Sequence, residues 1–481
     1  MLDKHSLLSP SADFRPKDGI VHLGLGAFYR AHGAIYTSEA IEKSGGDWGI
    51  VGVSLVRPIQ RDLLTPQGFA YTALELAPEG VIPRVIDVIT NVLVARENPE
   101  AVLQVMSDPA IRIVTLTVTE KGYCHEPSTG ALNRSHPDVV YDLANDLPRS
   151  ALGYLVRALQ RRRGAGVSPF TVLCCDNLPE NGKVVQGVVL EMARLIDPEL
   201  ADWIAKNGAF PSTMVDRIVP ATKPEDIEKL ADKTGVLDLS PAIHEPFRQW
   251  VIEDNFVNND RPDYGAAGAQ LVSDVTEFEH MKLRCLNGTH SSLAYLGYLA
   301  GHETICDTVS NQDFAAYCQH LWNAEIIPCL TAPEGTDLRE YSQTLFDRYS
   351  NPAIRHLTWQ IAMDGSQKLP QRILGTIEEN LAEGRDCSGL ILAVAAWMRY
   401  IGGVDERGAT IDVRDPLADR LKNLSESADD AAGKVDALLS VSEIFPNNLS
   451  TNPVFRNGLI SALSNLTLNG AQACIAEFSN D

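Results

Sequence analysis

The chain has 481 residues, 44% of them apolar and 22% charged, and a formal net charge of −22. That length exceeds what one hydrophobic core serves, so two or three domains are expected of an otherwise ordinary globular composition. The acidity argues against a nucleic-acid partner, which needs a basic face, and no apolar run reaches the ~20 residues of a bilayer span.

The opening stretch, MLDKHSLLSPSADFRPKDG, lacks the apolar run of a secretory signal, so a cytoplasmic location without a membrane partner is the expectation. Nine cysteines are scattered along the chain, at Cys124, Cys174, Cys175, Cys285, Cys306, Cys318, Cys329, Cys387 and Cys474. None forms a C-x-x-C pair or a zinc-like spacing with histidine, so they read as small core residues and no metal site is expected.

In chain order, Gly19–Leu23, Trp48–Leu55, Ile111–Thr119 and Phe170–Cys175 are β-branched or apolar runs, as parallel strands covered on both faces tend to be. Helical patterns such as Ala151–Arg163 and Gly187–Leu195 lie between or after them. The alternation predicts a doubly wound, Rossmann-type α/β domain over 1–275. From Glu279 the character changes: Met281–Ala300, Asn311–Ile327, Leu338–Tyr349 and Ser388–Ile401 read as helices. A mainly α-helical domain is therefore expected over 276–481, with an active site in the crevice between the two.

The first strand runs into Gly24-Leu-Gly26-Ala27-Phe28-Tyr-Arg30-Ala-His32. Glycines at such a turn let backbone approach a pyrophosphate, and Gly24 and Gly26 fit the first two positions of the dinucleotide fingerprint, although Tyr29 occupies the third. The second strand ends in Ser54-Leu-Val-Arg57, without the acid that usually holds the adenosine ribose. Arg57 suits a 2′-phosphate equally well, which leaves NAD and NADP both open.

Met281-Lys-Leu-Arg-Cys-Leu-Asn-Gly-Thr-His290 is the most informative stretch. At ~100° per residue, Lys282, His290 and Asn287 fall at roughly 0°, 80° and 140° around a helix, and so share one side. Polar groups converging from an otherwise apolar helix need hydrogen-bond partners or a ligand; a solvated face is the plainer alternative. Hydride transfer at a secondary alcohol needs a group to carry the hydroxyl proton and donors for the developing oxyanion. Lysine and asparagine are suitable types.

Gly24-x-Gly26…Phe28-x-Arg30-Ala-His32, Thr119-Glu120-Lys-Gly-Tyr123, Cys175-Asp-Asn-Leu-Pro-Glu-Asn-Gly182, Met214-Val-Asp-Arg-Ile218 and Lys282-x4-Asn287-x2-His290, taken together, resemble the polyol-specific long-chain dehydrogenases. The resemblance implies a metal-independent enzyme that moves a hydride between a nicotinamide cofactor, usually NAD, and a sugar acid or polyol. It also implies roles. Lys282 would be the general acid/base, Asn177 and Asn287 the amide pair on the reacting oxygen, and His290 the residue orienting the substrate. Asp216 would be a further substrate contact, and Glu120 a carboxylate on a proton path to water. The glycine turn, with Ala27, Phe28, Arg30 and Arg57, would hold the cofactor. Within the family, Arg355-His-Leu-Thr-Trp-Gln-Ile-Ala-Met-Asp-Gly-Ser-Gln-Lys-Leu-Pro-Gln-Arg372 is similar to the fructuronate reductases, which interconvert D-fructuronate and D-mannonate. Arg355, His356, Lys368 and Arg372 would then be partners for a substrate carboxylate, a group arginine suits well. A neutral polyol such as mannitol is the alternative substrate, and a monomer or small homo-oligomer the expected state.

Overall fold

The computed structural model describes residues 5–11, 15–126 and 129–479, with the side chains of Glu120, Lys121 and Ser479 outside the description. Two compact units divide the chain, Met1–Thr276 and Glu277–Asp481.

In the first unit, β1 (Asp18–Leu23), β2 (Gly49–Ser54), β3 (Ile89–Val94), β4 (Ile113–Leu116) and β5 (Thr171–Cys174) form one sheet. Its order is β3-β2-β1-β4-β5 with every pairing parallel. Val21 of β1 sits opposite Val51 and Val114. Both faces are covered. The helices Pro99–Ser107, Ala151–Gly164, Asn181–Ile196 and Pro198–Asn207 bury one side through Val102, Leu155, Val188 and Ile204. The helix Gly33–Ser44 and part of a second sheet bury the other through Ile35, Tyr36, Val215 and Trp250. This is the doubly wound order, whose winding reverses between β1 and β4, so loops at the carboxyl ends of those strands frame a crevice.

Two local readings change. The expected strand over Ile111–Thr119 stops at Leu116, and Thr119 turns the chain at a positive φ of 66°. Strand β3 was not anticipated, because half-buried Thr90 and exposed Asn91 break its apolar run. The unit also carries a three-stranded sheet of β6 (Thr213–Asp216), β7 (Gln249–Glu253) and β8 (Gln270–Val272), in which β7 runs antiparallel to β6 and parallel to β8.

Among the described residues, the second unit contains helices and isolated bridges but no strand. Its centre is the helix Ser388–Tyr400, buried continuously from Gly389 to Met398. The amino end of that helix sits on a fully buried carboxylate: Glu325 accepts the N–H groups of Gly389 (2.7 Å) and Leu390 (2.8 Å). A negative charge there offsets the helix dipole and satisfies donors with no intrahelical partner.

The helices of this unit are not uniformly α-helical. Lys282–Gly288, Leu321–Ile326 and Pro370–Leu374 are π-helical. Such turns are rare and are found frequently at functional sites. No described helix is long and apolar enough to cross a membrane, and all nine cysteines are free.

Candidate active site

At the end of β1, Gly24 has a φ of 94°, and a Cβ on it would lie 2.2 Å from the Thr117 carbonyl oxygen just past β4. Only glycine permits this approach of two strand ends at the reversal of the sheet. Beneath it, His22 bridges Thr115 (2.8 Å) and Thr117 (3.0 Å) and stacks on Tyr29 with ring centres 3.4 Å apart. Burial drives that imidazole down to about 3, so it is neutral. Gly26, Ala27 and Phe28 lead into the short helix Ala27–Ala31, and all three are half-buried. A bare backbone edge in this position fits a dinucleotide, whose pyrophosphate requires close backbone contact.

Arg30 departs from the expectation of a cofactor contact. It turns inward, is buried, and donates to the carbonyls of Gly26 and Ser240, bracing the glycine turn from behind. Arg57, by contrast, is exposed just beyond β2.

Asn177 is exposed in the loop after β5, and Asp216 is buried at the end of β6. Fully buried Asn181 links the two segments. It donates to the carbonyls of Asp176 (3.0 Å) and Thr213 (2.9 Å) and accepts the Thr213 N–H (2.9 Å). Glu120 begins a 3-10 turn after β4, and its side chain lies outside the described residues.

In the second unit, Lys282, Asn287 and His290 are 8%, 9% and 7% exposed, so none of them is on a solvated face. The π-turn corrects the angular reading made for an α-helix. Its i→i+5 closure sets positions 282 and 287 one turn apart along a single face, where an α-helix would splay them. Two aromatic residues from other helices support the widened turn: Trp322 Nε1 donates to the Cys285 carbonyl and the Tyr349 hydroxyl to that of Leu286, each at 2.9 Å.

Beyond this turn three cations gather around two buried imidazoles. His290 stacks on Tyr349 (5.2 Å between ring centres) and meets the edge of His356 (4.5 Å). Burial first, then His356, Arg372, Arg348 and Lys368 in turn, push the His290 imidazole well below its ordinary range. Burial with Lys368 and Arg348 takes His356 to about 4. Arg372 donates to Ser291 Oγ at 3.1 Å, and Lys368 to the Ile361 carbonyl at 3.2 Å. Asn287 Nδ2, His290 Nε2 and His356 Nδ1 are buried atoms without a hydrogen-bond partner. Buried polar atoms are rarely left so, and the two imidazoles, with ring centres 4.5 Å apart, are candidates to meet a ligand.

Four of the residues expected here from sequence, His290, His356, Lys368 and Arg372, are thus brought together. Arg355 is not: it is 63% exposed and paired with Glu303 at 2.7 Å. Arg348, buried on the helix Leu338–Tyr349, was missed because a lone arginine in the last turn of an amphipathic helix reads as a solvated cap. Elsewhere, ligand atoms of His320, Glu325 and Asp386 lie within 4.8 Å of one another, but the Glu325 carboxylate there already caps a helix.

Comparison with known proteins covers both units. Residues 18–264 match the mannitol dehydrogenase Rossmann domain and residues 274–467 the mannitol dehydrogenase C-terminal domain. The D-mannonate oxidoreductase of Escherichia coli K12 is 48% identical over 473 residues, 97% of each chain. Among solved structures, the Pseudomonas fluorescens mannitol 2-dehydrogenase in ternary complex with NAD and D-mannitol superposes with a TM-score of 0.86 at 38% identity, covering 99% of this chain and 97% of that one. A substrate-free D-sorbitol dehydrogenase gives a TM-score of 0.88 at 35% identity, over 98% and 97%. The chain is an oxidoreductase of the mannitol dehydrogenase family.

Proposed function

We propose that this protein is a cytoplasmic, NAD-dependent hexuronate reductase that interconverts D-fructuronate and D-mannonate. The observation that carries the reading is the set Arg372, Arg348 and Lys368 acting on buried His290. Three cations gathered around the His290 and His356 rings, whose Nε2 and Nδ1 atoms are buried without a hydrogen-bond partner, suit a substrate carboxylate. The similarity to a D-mannonate oxidoreductase over almost the whole chain supports it.

NAD, when bound, supplies or accepts the hydride at the sugar carbon. The chain's own residues manage the proton and the charge. In the reducing direction Lys282 Nζ gives its proton to the oxygen that becomes the alcohol. Asn287 Nδ2, and Asn177 by the family resemblance, donate to that oxygen as negative charge builds, an interaction stronger in the transition state than in the ground state. His290, kept neutral by burial and neighbouring cations, offers Nε2 to an adjacent hydroxyl. Asp216 would take another hydroxyl, and Glu120 would return protons to the lysine. Lys282 and the amides cover the duties a zinc ion performs elsewhere, so the reaction asks for no metal.

A second reading, a neutral-polyol dehydrogenase, is supported by the 38% identity to the mannitol 2-dehydrogenase. Following NADH oxidation with fructuronate and with fructose separates the two. We expect a large preference for the uronate; equal or better turnover of fructose would move the assignment to the polyol enzymes.

A further inference from the structure

We propose that Asp176 is a positioning residue, which holds the Asn177 amide and the turn carrying Glu120 in working register. The inference rests on the roles proposed for Asn177 and Glu120. Two loops leave the sheet at the carboxyl ends of β4 and β5, and a single carboxylate oxygen joins them. Asp176 Oδ2 accepts the Val118 N–H at 2.7 Å and the Tyr123 hydroxyl at 2.6 Å. The bracketed segment, Val118 to Tyr123, is the one that contains Glu120. The other face of the tyrosine hydroxyl meets Cys174 Sγ, the last residue of β5, at 2.9 Å.

The segment's conformation calls for such a clamp. Thr119 sits at a φ of 66°, a region a β-branched residue seldom enters, and its carbonyl accepts the Gly122 N–H at 2.9 Å to close the turn. An unfavourable backbone conformation persists only where its surroundings over-determine it, and the carboxylate anchors the residues at both ends of the turn. On its other side, the Asp176 carbonyl accepts from Asn181 (3.0 Å) and from the Leu178 N–H (2.9 Å). The residue immediately before Asn177 is therefore held through both its side chain and its backbone. An aspartate here serves better than an asparagine, because two donors converge on one oxygen and an ionised acceptor strengthens both bonds.

The test uses the full-length protein, with kcat and KM for the uronate and the dissociation constant for NADH measured on Asp176→Asn, Tyr123→Phe and the double variant. Asp176→Asn should lower kcat by roughly tenfold to a hundredfold, the scale of a displacement approaching 1 Å at a reacting centre. NADH affinity should stay within about twofold, since no residue of the glycine turn is replaced. Tyr123→Phe, which removes one oxygen atom and keeps the packing, should lower kcat by a smaller factor, and the double variant should be no worse than Asp176→Asn. A kcat within about threefold of wild type for Asp176→Asn, or a fall of kcat in proportion to lost NADH affinity, overturns the proposal. If Asp176→Asn fails to fold, Tyr123→Phe decides alone: wild-type kcat overturns it. Lys282→Ala, assayed in parallel, separates the two levels of argument. Retained activity in that variant sinks the proposed function itself, whereas collapse of Lys282→Ala beside an unaffected Asp176→Asn sinks only the positioning role.

Discussion

Gly288 closes the π-turn that carries Lys282 and Asn287, and it packs directly on the chain of Arg372. A Cβ at this position would lie 2.7 Å from the Arg372 carbonyl oxygen, against the 3.4 Å at which ordinary contact begins. Gly288→Ala must therefore separate two π-helical segments by about 0.7 Å, with backbone on both sides and no flexible side chain to give way. Overpacking of this kind costs about 1–3 kcal/mol. At ~2–4 °C per kcal/mol for a unit of this size, the melting temperature should drop by roughly 2–12 °C. The kinetic effect should be larger in proportion, because one segment holds the proton donor and the other a proposed carboxylate partner. A shift nearing 1 Å predicts a loss of about tenfold to a hundredfold in kcat/KM for fructuronate. Gly187→Ala serves as a control, since a Cβ there meets nothing within 4 Å on an exposed helix face; it should be neutral or stabilise by about 0.5–1 kcal/mol. Steady-state kinetics and thermal melts on the pair are sufficient. If Gly288→Ala melts and turns over like wild type, the close packing of the two segments, and the argument built on it, is refuted.

Lys282→Ala should cut kcat by about 10²–10⁴, the usual contribution of a general acid, while NADH titration shows unchanged affinity; wild-type turnover would contradict its role. Arg372→Ala should reduce kcat/KM for fructuronate by roughly 10–150-fold, the equivalent of a charge-assisted hydrogen bond of about 1.5–3 kcal/mol, and leave fructose turnover nearly unchanged. Arg355→Ala, at an exposed pair with Glu303, should change neither activity nor stability by more than about 0.5 kcal/mol, and equal losses in the two variants would disprove the distinction between them. Burial lowers His32 and His244 from 6.5 to about 3. The unfolded chain therefore binds protons that the native state refuses, and stability, complete above about pH 6.5, declines as pH falls through that window toward 3. At pH 5 the cost is on the order of 1–2 kcal/mol per ring. Urea midpoints should be lower at pH 5 than at pH 7, and identical midpoints would contradict the buried, neutral assignment.

The strands around the glycine turn, the helical second half, and the residue types able to move a proton and hold an oxyanion were legible in the sequence. Each is written locally, in a period of apolar residues or in a chemistry that few side chains possess. The aim of those side chains was decided only by tertiary packing. The π-turn that aligns Lys282 with Asn287 exists because Trp322 and Tyr349, remote in sequence, supply donors to the Cys285 and Leu286 carbonyls. Arg30 and Arg355, both candidates on paper, were withdrawn by their partners, one braced against Gly26 and Ser240 and the other held at the surface by Glu303. Arg348 was recruited by the burial of its helix beside His290. A residue's type fixes what it is able to do, but a long polar side chain takes whichever partner the folded chain brings within a few ångströms, and that choice has no local signature.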